Sequence, residues 1–151
     1  MPSAWVAAPP DALLREVTAG LTDPHRSGVA ILGADGVGKT LLAGSAAEAF
    51  AAPSTVVHRV VGTATERVIP FGAFRALLAD ADITESGRPA ELLRAAHEHL
   101  TADDAQQLFV VDDAHHLDHL SATLIYQLAV GGSARLIVTV RSDAEPPTAS
   151  W

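Results

Sequence analysis

Four short apolar runs punctuate the chain: Val29-Ala30-Ile31-Leu32, residues 55–61, Leu108-Phe109-Val110-Val111 and Leu136-Ile137-Val138-Thr139-Val140. They are near-continuous rather than alternating, as expected of strands buried on both faces. Segments with helical spacing lie between them. Residues 11–21 place Leu13, Leu14, Val17 and Leu21 on one stripe behind Asp11, a suitable N-cap. An Ala-rich helix follows Thr40, runs to about Phe50 and stops before Pro53. Residues 71–79 read as a short amphipathic helix. Residues 90–100 read as another, with Leu92, Leu93, Ala96 and Leu100 on its buried side, and residues 121–130 as a last one, ended by Gly131-Gly132.

Strands alternating with helices predict a parallel sheet covered on both faces, hence an α/β fold. Residues 1–28 then form an N-terminal arm, rich in proline, and a helix. Residues 29–141 form the core, and residues 142–151, mostly Asp, Pro, Thr and Ser, a flexible tail.

Composition narrows this picture without changing it. At 151 residues, 48% of them hydrophobic, the chain suits one folded domain with a sizeable core. A net charge of −8 does not suit direct binding to nucleic acid or to an anionic membrane, since both select basic surfaces. The absence of cysteine excludes disulfides and thiolate metal sites. No apolar run approaches a membrane span, and the N-terminus lacks the pattern of a signal peptide, so the expected location is cytoplasmic.

The candidate chemistry sits where the strands end. Gly33-Ala34-Asp35-Gly36-Val37-Gly38-Lys39-Thr40 satisfies the G-x-x-x-x-G-K-[ST] phosphate-loop pattern, between an apolar strand and the helix opened by Leu41. Glycines let backbone approach phosphate oxygens closely, and the amides of a helix's first turn favour anions. Gly33 to Leu41 are therefore the expected nucleotide-binding residues. Lys39, the chain's one lysine, is placed to reach the β- and γ-phosphates, and the Thr40 hydroxyl to ligate Mg²⁺.

The third run ends in Asp112-Asp113, the usual place of a Walker B carboxylate. Asp112 is the expected Mg²⁺ ligand, because that hard cation prefers oxygen donors. Asp113 is the expected residue to orient or polarise an attacking water. Arg141, closing the fourth run, is placed to contact a γ-phosphate and stabilise transition-state charge. In such sheets ligands bind beyond the carboxyl ends of the strands, where all of these residues fall. His115, His116 and His119, beside Asp118, have a spacing that a zinc site would tolerate, but lack supporting ligands elsewhere and read as surface or supporting histidines. Glu66 reads as a solvated charge near the site.

The segments Val111-Asp112-Asp113-Ala114-His115-His116-Leu117-Asp118, Thr139-Val140-Arg141 and Pro70-Phe71-Gly72-Ala73-Phe74 resemble the nucleotide-binding domain of large LuxR-type transcriptional regulators, within the STAND and AAA-related ATPases. The resemblance spans residues 29–141. It implies a three-layer P-loop NTPase core with strand order 2-3-4-1, ATP or ADP with Mg²⁺ as cofactors, and slow hydrolysis. It implies that the fifth strand and the DNA-binding domain are missing from this chain. The first strand's outer edge then lies open to the remainder of a larger regulator or to a second copy. Residues 10–16 replace the Gly-Arg-x-x-Glu-like element that the family carries before its first strand. Two other readings stand beside this one: a free-standing ATPase or small-molecule kinase, and a nucleotide-independent interaction domain.

Overall fold

A computed structural model describes residues 11–34, 37–81, 83 and 87–142. Helix α1 (Asp11–Thr22) precedes strand β1 (Gly28–Gly33) and helix α2 (Lys39–Phe50). Strand β2 (Val56–Val61), helix α3 (Pro89–Leu100), strand β3 (Gln107–Asp112), helix α4 (His119–Val130) and strand β4 (Arg135–Arg141) follow. All strand pairs are parallel, in the order β1-β4-β3-β2, which is the expected order read from the other edge. Each predicted apolar run is one of these strands. None of the described helices is long and apolar enough to cross a membrane.

Helices cover the sheet on both sides. On one side α1 and α2 pack Val17, Leu21, Leu42, Ala43, Ala46 and Ala47 onto Ile31, Leu108, Val110 and Ile137. On the other, α3 and α4 pack Leu92, Ala96, Leu100, Leu124, Ile125 and Leu128 around Phe109, Val111, Leu136 and Val138. Because successive strand residues face opposite sides, Leu108 and Val110 serve one core while Phe109 and Val111 serve the other. That dual duty requires an unbroken apolar run, and β3 is buried along five consecutive residues.

The expected helix over residues 71–79 is not an α-helix. The chain makes a 3-10 turn at Gly72–Phe74 and continues through turns. Two features prevent a regular start. Phe71 has a left-handed backbone (φ 55°), its amide held by the Asp118 carboxylate at 2.9 Å. Gly72 packs so closely on Glu66 that a Cβ would lie 2.7 Å from its carbonyl oxygen. The apolar spacing still serves the core, since Phe71, Phe74 and Leu78 are all buried there. Helix α4 begins two residues earlier than the expected 121, because Asp118 caps it by accepting from the Ser121 amide at 3.1 Å. The arm at residues 1–10 and the tail from residue 143 lie outside the described residues, as do Asp35 and Gly36 of the phosphate loop.

Candidate nucleotide site

The phosphate loop leaves the carboxyl end of β1 and turns into α2. Gly38, the residue before the helix, has φ 93°, a conformation that strains any residue with a Cβ. No side chain caps α2, and its first internal bond runs from the Leu42 amide to the Gly38 carbonyl at 3.0 Å. The amides of Lys39, Thr40 and Leu41 therefore have no acceptor within the helix, at the end where the helix dipole favours an anion. Lys39 is buried, and its ammonium donates to the Ala34 carbonyl at 2.8 Å, folding over the loop it belongs to. Val37 and Leu41 are exposed at the same end.

The acidic partner comes from the neighbouring strands. The Thr40 hydroxyl donates to Asp112 Oδ2 at 2.8 Å, joining residues 72 apart in sequence. The other carboxylate oxygen of Asp112, Oδ1, accepts from the Thr139 hydroxyl on β4. That same Thr139 oxygen accepts from the Asp113 amide at 3.0 Å. Fully buried Thr139 thus fixes the Asp112 side chain and the backbone that aims Asp113. A hydroxyl and a carboxylate oxygen side by side form the hard donor pair suited to Mg²⁺, so Thr40 and Asp112 fit the ion expected there.

Asp113 stands in the left-handed region (φ 53°, ψ 51°). A non-glycine residue held there is uncommon, and such positions cluster at functional sites. The turn is supported by Gly62 at the end of β2, whose amide donates to the Asp112 carbonyl at 2.9 Å. A Cβ on Gly62 would lie 2.4 Å from the Asp113 carbonyl oxygen, so only glycine allows this approach. Arg141 pairs in register with Gly33, the first loop residue, and the Ser142 amide donates to the Gly33 carbonyl at 3.1 Å. Loop, acidic pair and Arg141 therefore share one end of the sheet.

Two residues in this constellation carried little signal in the sequence. Thr139 entered only within the strand-end segment Thr139-Val140-Arg141, and nothing in the sequence singled out Gly62. His115 is buried, its ring tilted by 46° against that of His116 with centroids 4.2 Å apart. Burial lowers its pKa below the usual 6.5, and His116, Arg141 and Lys39 push the same way against the opposing pull of Asp113. Among the described residues no group of three His, Asp or Glu side chains is placed to hold a metal. Asp118 serves as the cap of α4, and Glu66 accepts from the Thr63 hydroxyl at 3.0 Å.

The family described as AAA domain matches residues 22–145. This chain belongs to that family. No curated protein sequence matches it. Among solved structures, the AAA domain is similar to the Aeropyrum pernix ORC1 protein in complex with DNA, with TM-score 0.63 and 17% identity over 95% of this chain and 40% of that one. It is also similar to the Aeropyrum pernix ORC2 protein in its ADPNP-ADP complexes, with TM-score 0.51 and 16% identity over 87% of this chain and 40% of that one. At these identities the likeness is one of fold. The chain spans 40% of the length of each.

Proposed function

We propose that this AAA domain is an ATP- and Mg²⁺-binding switch with slow hydrolysis, serving a transcriptional regulator of the large LuxR type. The observation that carries the nucleotide reading is the Thr40–Asp112 hydrogen bond, which joins the phosphate loop to the acidic strand end at 2.8 Å. Membership of the AAA family and a fold shared with a protein solved in ADPNP-ADP complexes support the same reading. The regulator context rests on the LuxR-like segments around Asp112, Thr139 and residues 70–74.

In this account the free amides of α2 and the Lys39 ammonium bind the phosphate tail, Lys39 exchanging its Ala34 carbonyl for a phosphate oxygen. Thr40 and Asp112 hold Mg²⁺, which when bound neutralises charge on the β- and γ-phosphates. Asp113 orients the attacking water, and Arg141 meets charge on the γ-phosphate. Those contacts distinguish a triphosphate from a diphosphate, so the two nucleotides favour different conformations of the domain.

The test compares binding with turnover. Tight Mg²⁺-ATP binding with slow phosphate release is expected of the switch, whereas rapid release would favour a free-standing ATPase. Asp113→Asn is expected to slow single-turnover hydrolysis by about 10²-fold or more while leaving ATP affinity within a few-fold. Equal losses in rate and affinity would show that Asp113 serves the fold and not the chemistry.

A further inference from the structure

The turn that carries Asp113 is held through its backbone. The Asp113 amide donates to the Thr139 hydroxyl, and its carbonyl accepts from the His116 amide at 2.9 Å. Among the described residues no side chain donates a hydrogen bond to the Asp113 carboxylate. Two residues further on, His115 is only 5% exposed, and its Nδ1 has no hydrogen-bond partner among the described residues. The Nδ1 of His116 is likewise unpartnered, and the tilted contact between the two rings satisfies neither. A buried ring nitrogen without a partner is costly, and a residue that merely filled this space would be better apolar.

His115 also lies where the charges of the site converge. Asp113, Arg141 and Lys39 all act on its ring, Asp113 the most strongly of the three. Burial first, then His116 and the two cations, hold its pKa below 6.5, so the ring is neutral at pH 7. A neutral imidazole carries one N–H, and the nitrogen that bears it is set by the partner the ring finds. His116 is less buried and packs its backbone and Cβ against Gly62 at the end of β2.

We propose that His115 is a positioning residue for hydrolysis: with Mg²⁺-ATP bound, its Nδ1–H donates to the Asp113 carboxylate and orients it toward the attacking water. This role rests on the nucleotide site proposed for Thr40, Asp112 and Asp113. Only the Asp113 side chain has to move, because Thr139 and His116 keep its backbone in place. A neutral donor suits the task. A cation at this position would lower the basicity of Asp113, whereas a neutral N–H orders the carboxylate and leaves more of that basicity. His115 keeps its proton throughout, and the proton lost by the water goes to Asp113.

The test uses the full chain with two substitutions. His115→Leu removes both ring nitrogens and leaves an apolar filler, whereas His115→Asn puts an amide N–H close to the position of Nδ1. His115→Leu is expected to slow single-turnover ATP hydrolysis by about tenfold with ATP affinity within about threefold, and His115→Asn to recover most of the rate. Added to Asp113→Asn, His115→Leu should cost little more, since the two residues act as one unit. Heteronuclear NMR of the parent's imidazoles, with Mg²⁺ and a non-hydrolysable ATP analogue, needs neither turnover nor a folded variant. It should show His115 as the Nδ1–H tautomer.

A parent-like rate in His115→Leu would overturn the proposal. So would equal losses in the leucine and asparagine variants, which would make the ring a matter of packing, or an Nε2–H tautomer in the bound parent. Each of those results leaves ATP binding intact. A parent chain that binds no ATP would instead overturn the nucleotide site, and this role with it.

Discussion

The inner strands β3 and β4 and the outer strand β1 are built from similar apolar residues, while the outer strand β2 carries His58 and Arg59 at its centre, and the two pairs meet different surroundings. Leu108-Phe109-Val110-Val111 on β3 is buried throughout, and β4 is buried from Leu136 to Thr139. On β1, Ile31 is buried while Leu32 is exposed, and on β2, Val60 is buried while Val61 is 50% exposed. The inner pair has helices on both faces, so both sets of alternating side chains find partners. The candidate chemistry follows this division. Asp112 and Thr139 rise from the two inner strands, where packing fixes them, and the phosphate loop springs from the outer strand toward them.

Truncation should expose that difference most strongly. Phe109→Ala on β3 is expected to lower unfolding free energy by about 3–5 kcal/mol, whereas Val61→Ala on β2 should stay within about 0.5 kcal/mol. Chemical denaturation of both variants checks the pair, and similar losses would remove the distinction between inner and outer strands.

Thr139→Val sharpens the same comparison inside the site. It keeps the shape of the side chain but leaves the Asp113 amide without its acceptor and Asp112 Oδ1 without its donor, at a cost of about 1–3 kcal/mol. Its effect on hydrolysis should exceed its effect on ATP affinity, because it loosens Asp113 while leaving the phosphate loop intact. A variant as stable and as active as the parent would show that the Thr139 hydroxyl does not hold the acidic pair.

A smaller effect comes from His115. Its pKa is lowered in the folded protein, first by burial, so below the ordinary value of 6.5 the unfolded chain takes up a proton that the folded chain refuses. The His115 contribution is therefore fully present above pH 6.5 and is lost as pH falls from there toward the folded pKa. His115→Phe should flatten that part of the stability–pH curve, measured by urea unfolding between pH 7 and pH 5. An unchanged slope would assign the pH dependence to other groups.

These contrasts also explain what could be read from the chain. The strands and the phosphate loop were legible because apolar continuity and the Gly-x-x-x-x-Gly-Lys-Thr spacing are local signals, whereas the strand order came only from the family resemblance over residues 29–141. The outer strand β1 was not separable from the inner ones, since Val29-Ala30-Ile31-Leu32 is as apolar as the run on β3 and its exposure depends on what lies beside it. Residues 71–79 misled because Phe71, Phe74 and Leu78 have helical spacing, while the conformation there is set by Asp118, more than forty residues away. The roles of Thr139 and Gly62 escaped notice for a related reason. A hydroxyl within an apolar strand and a glycine at a strand end acquire meaning only when Asp112 and Asp113 are placed beside them.

The central claim is that the loop amides, Lys39 and the Thr40–Asp112 pair form one nucleotide site. Calorimetric titration of the intact chain and of Lys39→Ala with ATP, ADP and GTP, each with Mg²⁺, tests it most directly. The account predicts saturable ATP and ADP binding to the parent, weaker binding of GTP, and no detectable heat of binding in the folded Lys39→Ala variant. Equal ATP affinity in parent and variant, or no binding of any nucleotide to the folded parent, would contradict it.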